Sequence, residues 1–192
     1  MMLGESILDE TFPHAYECET REEVPNDALS HYYFPGATAK GGKDGLLVQI
    51  RPTRGESWLG TFAFGQVTPE GVSGVFTTPN PQQVCVVSRG QGYLVNTWEP
   101  SDWQAVRATP IISIHPIPSQ HLIVFADHTT LIAYGHSGVQ WKTARLSWDH
   151  LHITEVTDKT IKGEFWNIRS EAKEYFVVDL MTGGHQGGIT EI

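Results

Sequence analysis

Short apolar runs separated by turn residues dominate the chain from Leu46 onward. The first three are LLVQI (46–50), SWLGTFAFG (57–65) and GVSGVFTT (71–78), and similar runs continue to residue 181. β-branched and aromatic residues fill these runs, and no strongly amphipathic helical pattern lies between them. About eleven short strands at close spacing predict an all-β fold of the propeller, sandwich or barrel type.

The first 45 residues follow a different pattern. The segment ECETREEVPND (17–27) is charged and is interrupted by Pro25, and HYYFPGATAKGGKDG (31–45) is first aromatic and then rich in glycine. These features favour a helix or an extended arm followed by a flexible loop at Gly41–Gly45. We therefore divide the chain into an N-terminal arm, helical or extended, with a Gly-rich loop, residues 1–45, and an all-β repeat domain, residues 46–192.

Two segments of the all-β part resemble each other. YLVNTWEPSDWQA (93–105) and LIAYGHSGVQWKT (131–143) both begin with an apolar strand-like run and carry a Trp in the eleventh place, Trp103 and Trp141. A gapless alignment with an offset of 38 residues, Val84–Trp103 on Leu122–Trp141, keeps the apolar positions apolar. This offset is close to the ~40–45 residues of a four-stranded propeller blade. It predicts a propeller-like array of short antiparallel sheets, about three to four blades, with Trp103 and Trp141 at equivalent buried positions; a β-sandwich or barrel is the alternative.

The repeats resemble the blades of quinoprotein-type β-propellers. The blade signature of that family is Ala-x-Asp-x-x-Thr-Gly-x-x-x-Trp, in which the Trp docks between neighbouring blades. Asp179, Thr182 and Gly183 match the middle of the pattern, whereas Ala133 and Trp141 match its two ends in the preceding unit. No single unit carries the whole signature. The resemblance covers residues 76–188 and implies a propeller fold.

Charge and composition exclude several classes of function. The net charge is −9, and an acidic surface repels phosphate backbones, so we expect no nucleic-acid partner. The N-terminus has no secretory-signal pattern, and no run reaches the ~20 apolar residues of a membrane helix, so we expect a cytoplasmic protein without membrane contact. Cys18 and Cys85 are far apart and form no CxxC motif, which argues against a zinc ribbon or a thioredoxin-like site.

One short motif could carry metal chemistry. His150 and His152 form a His-x-His pair, and alternate residues of a strand point to the same face. Two neighbouring imidazoles followed by Glu155 could begin a metal site. The alternative is that both imidazoles face solvent, so the primary expectation is no metal and no cofactor. The metal alternative would consist of His150, His152 and Glu155.

Aromatic residues at turns indicate a binding function. Trp98 and Trp148 precede the turn-like segments EPSD and DHLH, and Trp is enriched at binding hot spots. With His150 and His152 they form the predicted binding residues of a non-enzymatic cytoplasmic module that recognises a protein partner. An acidic inhibitor or immunity-type protein fits this interpretation, and a homodimer would cover exposed strand edges. The alternatives are a metal-dependent or carbohydrate-active hydrolase and a structural subunit that closes its sheet array on oligomerisation.

Overall fold

Seventeen strands form four separate sheets in the computed structural model, which describes residues 7–25, 29–35, 44–65 and 71–189. The described residues contain no α-helix, and their one helical turn is the 3-10 helix Pro118–Gln120. No helix within these ranges could cross a membrane. The prediction of an all-β, propeller-like array of small sheets is therefore confirmed.

Sheet 1 is formed by strands that lie between residues 16 and 63. Its strands are β2 (Tyr16–Arg21), β3 (Ser30–Phe34), β4 (Gly45–Pro52) and β5 (Trp58–Ala63). They lie in the order β2-β4-β5-β3. The β4–β5 hairpin is its centre, β2 pairs antiparallel with β4, and β3 runs parallel to β5 at the other edge.

Sheets 2, 3 and 4 are antiparallel meanders of four consecutive strands. Sheet 2 contains β6 (Gly74–Thr77), β7 (Gln83–Ser88), β8 (Gln91–Asn96) and β9 (Trp103–Ala105), and it gains β1 (Ile7–Asp9) parallel to β6. Sheet 3 contains β10 (Ser113–Ile117), β11 (Leu122–Ala126), β12 (Leu131–Gly135) and β13 (Gly138–Lys142). Sheet 4 contains β14 (His152–Val156), β15 (Thr160–Asn167), β16 (Ala172–Asp179) and β17 (His185–Gly187).

The N-terminal arm is not a separate helical segment. Its described residues form β1, β2 and β3, and the boundary at residue 45 falls on the first residue of β4. The side chains of Tyr16 and Phe34 are buried in the core between sheets 1 and 2. Burial of these rings in a sheet outweighs the weak helical preference of the charged segment. Of the predicted loop at Gly41–Gly45, residues 41–43 lie outside the described residues.

The sheets pack face to face in the order 1-2-3-4, with one apolar core in each gap. Sheets 1 and 2 enclose a core that includes Ile50, Phe62 and Tyr93. The core between sheets 2 and 3 includes Cys85 and Phe125. A third apolar core, which includes Trp141, fills the gap between sheets 3 and 4. Sheets 2 and 3 are therefore apolar on both faces. Each shared core joins consecutive sheets, so sheets 1 to 4 follow one another in a row.

The internal repeat exists, but its offset is 39 residues. The cross-strand pair Val84–Val95 of sheet 2 corresponds to Ile123–Tyr134 of sheet 3, with 39 residues between the equivalent members of each pair. With this offset, equivalent side chains point to the preceding sheet. Val84 and Val95 of sheet 2 face sheet 1, and Ile123 and Tyr134 of sheet 3 face sheet 2. The predicted offset of 38 was wrong, because a shift of one residue turns every side chain to the opposite face.

Trp103 and Trp141 are therefore not equivalent. The Trp103 ring is half-buried and points back to sheet 1, where it lies edge-on to Phe34 at 5.7 Å between ring centroids. The Trp141 ring is buried and points forward to sheet 4. Its Nε1–H donates a hydrogen bond of 2.7 Å to the carbonyl of Leu180.

The structural counterpart of Trp141 is Trp58 in sheet 1. Trp58 Nε1–H donates a 2.9 Å hydrogen bond to the carbonyl of Thr97, 39 residues further along the chain, and Trp141 and Leu180 are also 39 residues apart. Thr97 directly follows β8 and Leu180 directly follows β16, the third strands of their meanders. Each Trp thus links its own sheet to the same position of the next sheet.

Two parts of the quinoprotein blade signature, one from sheet 3 and one from sheet 4, are in contact at Gly183. Asp179 accepts hydrogen bonds of 2.9 and 2.8 Å from the backbone and hydroxyl of Thr182, and this closes a turn in which Gly183 has φ +70°. A Cβ atom at Gly183 would lie 2.8 Å from ring atoms of Trp141. The Asp-x-x-Thr-Gly part therefore comes from sheet 4 and the docking Trp from sheet 3. The propeller-like arrangement holds, whereas the complete quinoprotein signature is not found in any one sheet.

Candidate functional site

The predicted binding residues do not form one surface. β8 ends beside the start of β7, where Asn96 pairs with Gln83, and Trp98 follows at that end of sheet 2. β13 instead ends beside the start of β12, where Lys142 pairs with Ile132, and Trp148 follows there. Because β7 and β8 correspond to β11 and β12, Trp98 and Trp148 lie at opposite strand ends of their sheets, on opposite sides of the array.

Trp98 is partly exposed, with 38% of its surface accessible. Its backbone N–H donates a 3.0 Å hydrogen bond to Asn96 Oδ1, which fixes the start of the turn. The guanidinium carbon of Arg54, from the β4–β5 hairpin, lies 5.7 Å from the centre of the indole ring. The Trp98 ring is therefore a small, isolated aromatic feature between sheets 1 and 2.

The Trp148 side chain mainly packs against the protein. It is half-buried and contacts the apolar core between sheets 3 and 4. The guanidinium carbons of Arg145 and Arg169 lie 5.2 and 4.9 Å from its ring centre, within the range of cation–π attraction. Little of the indole is left for a partner.

The proposed metal group of His150, His152 and Glu155 is not brought together. His150 precedes β14 with φ +51°, so the alternation expected of a strand does not apply to the pair. His152 begins β14 and is paired in register with Glu164, and Glu155 forms a 2.8 Å ion pair with Lys162. The expectation that His150 and His152 share one face failed because the strand begins two residues later than the apolar pattern indicated.

A different group assembles around His150. In the described part of the chain, the one set of three potential metal ligands with all ligand atoms within 4.8 Å is His128, Asp149 and His150. His128 comes from the β11–β12 hairpin and the other two from the connection between sheets 3 and 4. Sequence reasoning missed His128 because only the fold brings it to the adjacent Asp149–His150 pair.

The outer face of sheet 4 exposes large aromatic side chains. Along β15, Phe165 points into the core and Trp166 points outward, and along β16 Phe176 points inward and Tyr175 outward. Trp166 is 57% exposed and Tyr175 is 63% exposed. Trp166 pairs with Lys173, so Tyr175 is its diagonal neighbour across the two strands. Ile168, in the following hairpin, is also exposed.

The charges of this face are paired with each other. Lys173 Nζ lies 2.7 Å from Glu164, and Lys162 Nζ lies 2.8 Å from Glu155. His152, one of the predicted binding residues, is exposed and is paired in register with Glu164 at the edge of the same sheet. The face thus combines two exposed aromatic rings with two Lys–Glu ion pairs, whose charges cancel.

The thiol groups do not form a reactive site. Cys85 is completely buried, and burial raises the pKa of its thiol. Burial and, to a lesser extent, the charge of Glu10 raise the pKa of the Cys18 thiol to about 11. Reactive thiols have lowered pKa values, so neither residue is set up as a nucleophile.

Comparisons with known proteins give a weak structural similarity. No family model matches the chain, and no curated protein matches it. The crystal structure of the N-terminal domain of Nup159 is 10% identical with a TM-score of 0.43, covering 98% of this chain and 55% of that one. A chain of the complex of S. cerevisiae Dbp5 with Nup159, Gle1, IP6 and ADP is 11% identical with a TM-score of 0.41, covering 96% of this chain and 53% of that one. The chain thus spans about half the length of these two structures, and at this similarity neither informs its function.

Proposed function

We propose that the protein is a non-enzymatic binding module that recognises a protein partner through the outer face of sheet 4. The observation that carries this proposal is the exposure of Trp166 and Tyr175 at diagonal positions of adjacent strands on the terminal sheet of the row. Trp and Tyr are the residues most enriched at binding hot spots, because they offer large rigid surfaces together with a hydrogen-bonding group.

The surroundings of the two rings support this proposal. The Lys173–Glu164 ion pair joins the other two corners of the same four positions and lies between the rings, and the Lys162–Glu155 pair lies further along β15, so the polar groups that surround the aromatic anchors are charge-paired, as polar groups at a protein interface need to be. The outer face of sheet 1 has a different composition: its Arg51, Glu19 and Arg21 side chains form ion pairs with one another. Sheet 4 is therefore the end of the row that is better suited to a partner.

The charge of the chain favours a basic partner. A net charge of −9 gives a long-range attraction to positively charged proteins and accelerates their association. An acidic inhibitor or immunity-type protein acting in the cytoplasm would have this property, and the two free cysteines suit a reducing compartment.

The test is capture from a lysate of the source cells with the purified chain as bait. We expect the wild-type protein to retain a defined protein that Trp166→Ala/Tyr175→Ala loses. Trp98→Ala is the matched control, because it also removes a partly exposed Trp, but one from sheet 2. Equal capture by all three proteins would contradict the assignment of the face, and failure to capture any protein would contradict the binding function.

A further inference from the structure

We propose that His128, Asp149 and His150 form a binding site for a divalent transition-metal ion, with Zn²⁺ as the best match. This site is independent of the outer face of sheet 4. Two imidazoles and one carboxylate are a ligand set that Zn²⁺ and the neighbouring first-row metals accept. The three residues lie where the β11–β12 hairpin meets the connection to sheet 4.

One potential ligand atom from each of the three residues lies within 4.8 Å of the other two. In a tetrahedral zinc site with bonds of about 2.0–2.1 Å, neighbouring ligand atoms are about 3.4 Å apart. His128 Nδ1 lies 3.8 Å from Asp149 Oδ1, and His150 Nδ1 lies 2.8 Å from Asp149 Oδ2. The two imidazole centres are 4.9 Å apart and the rings are inclined by 49°. The Asp149 and His150 side chains are 62% and 65% exposed, so solvent leaves them room to rotate towards a common ion.

The backbone beneath the group is held in place before any ion binds. The His128 carbonyl accepts hydrogen bonds from Leu151 N–H at 3.1 Å and from Ser147 Oγ at 2.6 Å. Asp127 closes the hairpin by accepting two backbone hydrogen bonds, at 2.8 Å from Thr129 and 2.7 Å from Thr130. Two segments distant in sequence are therefore fixed against each other, which lowers the entropic cost of bringing their ligands together.

The connection itself is held at its other end by Arg145. The guanidinium group donates hydrogen bonds to the carbonyls of Ser147 at 3.0 Å and Trp148 at 2.8 Å. The residues that follow, Asp149 and His150, therefore start from a defined position. Three protein ligands leave a fourth tetrahedral position, where water or a group of a partner would bind.

Titration of the full-length, untagged protein with ZnCl₂ after removal of metals by chelation tests the proposal. We expect one Zn²⁺ per chain by calorimetry, and with Co²⁺ the visible absorption bands of a tetrahedral site. Asp149→Ala and His150→Ala should weaken binding by at least about 100-fold, since even changes beyond the ligands cost 10–100-fold. The Asp149 and His150 side chains are exposed, so these two variants should fold like the wild type. The third variant, His128→Gln, should also lose affinity.

His152→Ala is the matched control, because this exposed imidazole is close in sequence but lies outside the group. Wild-type affinity of this variant together with loss in the other three supports the site. Absence of stoichiometric Zn²⁺ binding, wild-type affinity of Asp149→Ala, or equal loss in His152→Ala would each overturn it. A rise in Tm with Zn²⁺ in the wild type, absent in Asp149→Ala, provides a second readout, since a ligand that binds the folded state stabilises it.

Discussion

The Nε1–H of Trp141 donates a hydrogen bond to the carbonyl of Leu180 and thereby links sheet 3 to sheet 4 across a 2.7 Å contact. Trp58 makes the same link from sheet 1 to Thr97 of sheet 2. In both cases the acceptor is the residue directly after the third strand of the next sheet. These bonds fix neighbouring sheets in register, a function that apolar packing alone does not supply because it is non-directional.

Replacement of Trp141 should separate the contribution of the hydrogen bond from that of the ring. Trp141→Phe keeps most of the apolar contact and leaves the Leu180 carbonyl without its donor, so we expect a loss of about 1–3 kcal/mol of unfolding free energy. Trp141→Ala should cost about 3–5 kcal/mol. Trp103→Phe serves as the control, since the Trp103 ring is half-buried in a different core, and denaturation with urea measures all three. Similar losses in Trp103→Phe and Trp141→Phe would show that the bond to Leu180 contributes little.

Gly183 should be more sensitive to substitution than another glycine with a positive φ. An Ala at φ +70° is strained, by about 1–3 kcal/mol, and its Cβ would also displace the Trp141 ring. Gly138, with φ +110° and open space around it, is the matched control for strain alone. We expect Gly183→Ala to lower the Tm further than Gly138→Ala. This difference should become smaller in a Trp141→Ala background; if it is unchanged there, contact with the ring is not its cause.

Deletion of the N-terminal strands should be graded in its effect. Of the described residues, removal of residues 1–9 takes away β1, whose Ile7 and Leu8 are about half exposed. Removal of residues 1–35 also takes away β2 and β3, and this would expose the core residues Ile50 and Phe62 of sheet 1. We expect the shorter deletion to remain soluble and the longer one to aggregate in light-scattering measurements. A soluble, monomeric protein after the longer deletion would mean that β2 and β3 are not needed to protect sheet 1.

Stability should fall when the pH drops below about 6.5. Burial lowers the pKa of His115 below its usual value of 6.5, so the unfolded chain takes up a proton more readily than the folded one. The stabilising effect of neutral His115 is therefore complete above pH 6.5 and is lost as the pH falls through the lowered pKa. Burial also lowers the pKa of His31, which contributes in the same direction.

Thermal unfolding between pH 5 and 7.5 measures this dependence. His115→Gln cannot be protonated, so its Tm should fall less steeply with acidification than that of the wild type. His136→Gln is the control, because it makes the same substitution at an exposed histidine of the β12–β13 turn. Parallel slopes for all three proteins would contradict the role of His115.

The sequence predicts strands that are buried on both faces and misses most of those at sheet edges. The run QVCVVS coincides with β7 because it packs against sheets 1 and 3 and is apolar throughout. β13 is missed because only Trp141 of its five residues is buried, and β2 is missed because the charges of its outer face resemble a loop. Edge strands have few apolar positions, so their pattern is lost among the turns.

The same property explains the error in the repeat offset. When a strand is apolar on both faces, a shift of one residue still places apolar side chains on apolar side chains. Val84 therefore matches Leu122 as well as Ile123 by chemical type, and only the cross-strand register identifies the correct partner. The cluster of His128, Asp149 and His150 was partly predictable, since Asp149 and His150 are adjacent in sequence. His128 could not be predicted, because only the contact with the β11–β12 hairpin brings it to the other two.

The arrangement of the sheets in a row has a consequence for the order in which the molecule opens. Arrays whose units contact only their neighbours behave almost as one-dimensional systems, and their ends open more readily than their centre. Amide protons of β7 and β11, in the two inner sheets, should then exchange with solvent most slowly, and those of sheet 4 faster. A partner on Trp166 and Tyr175 would convert this end sheet into an inner one. Binding should therefore slow the exchange of amide protons not only at the interface but along the whole of β15 and β16.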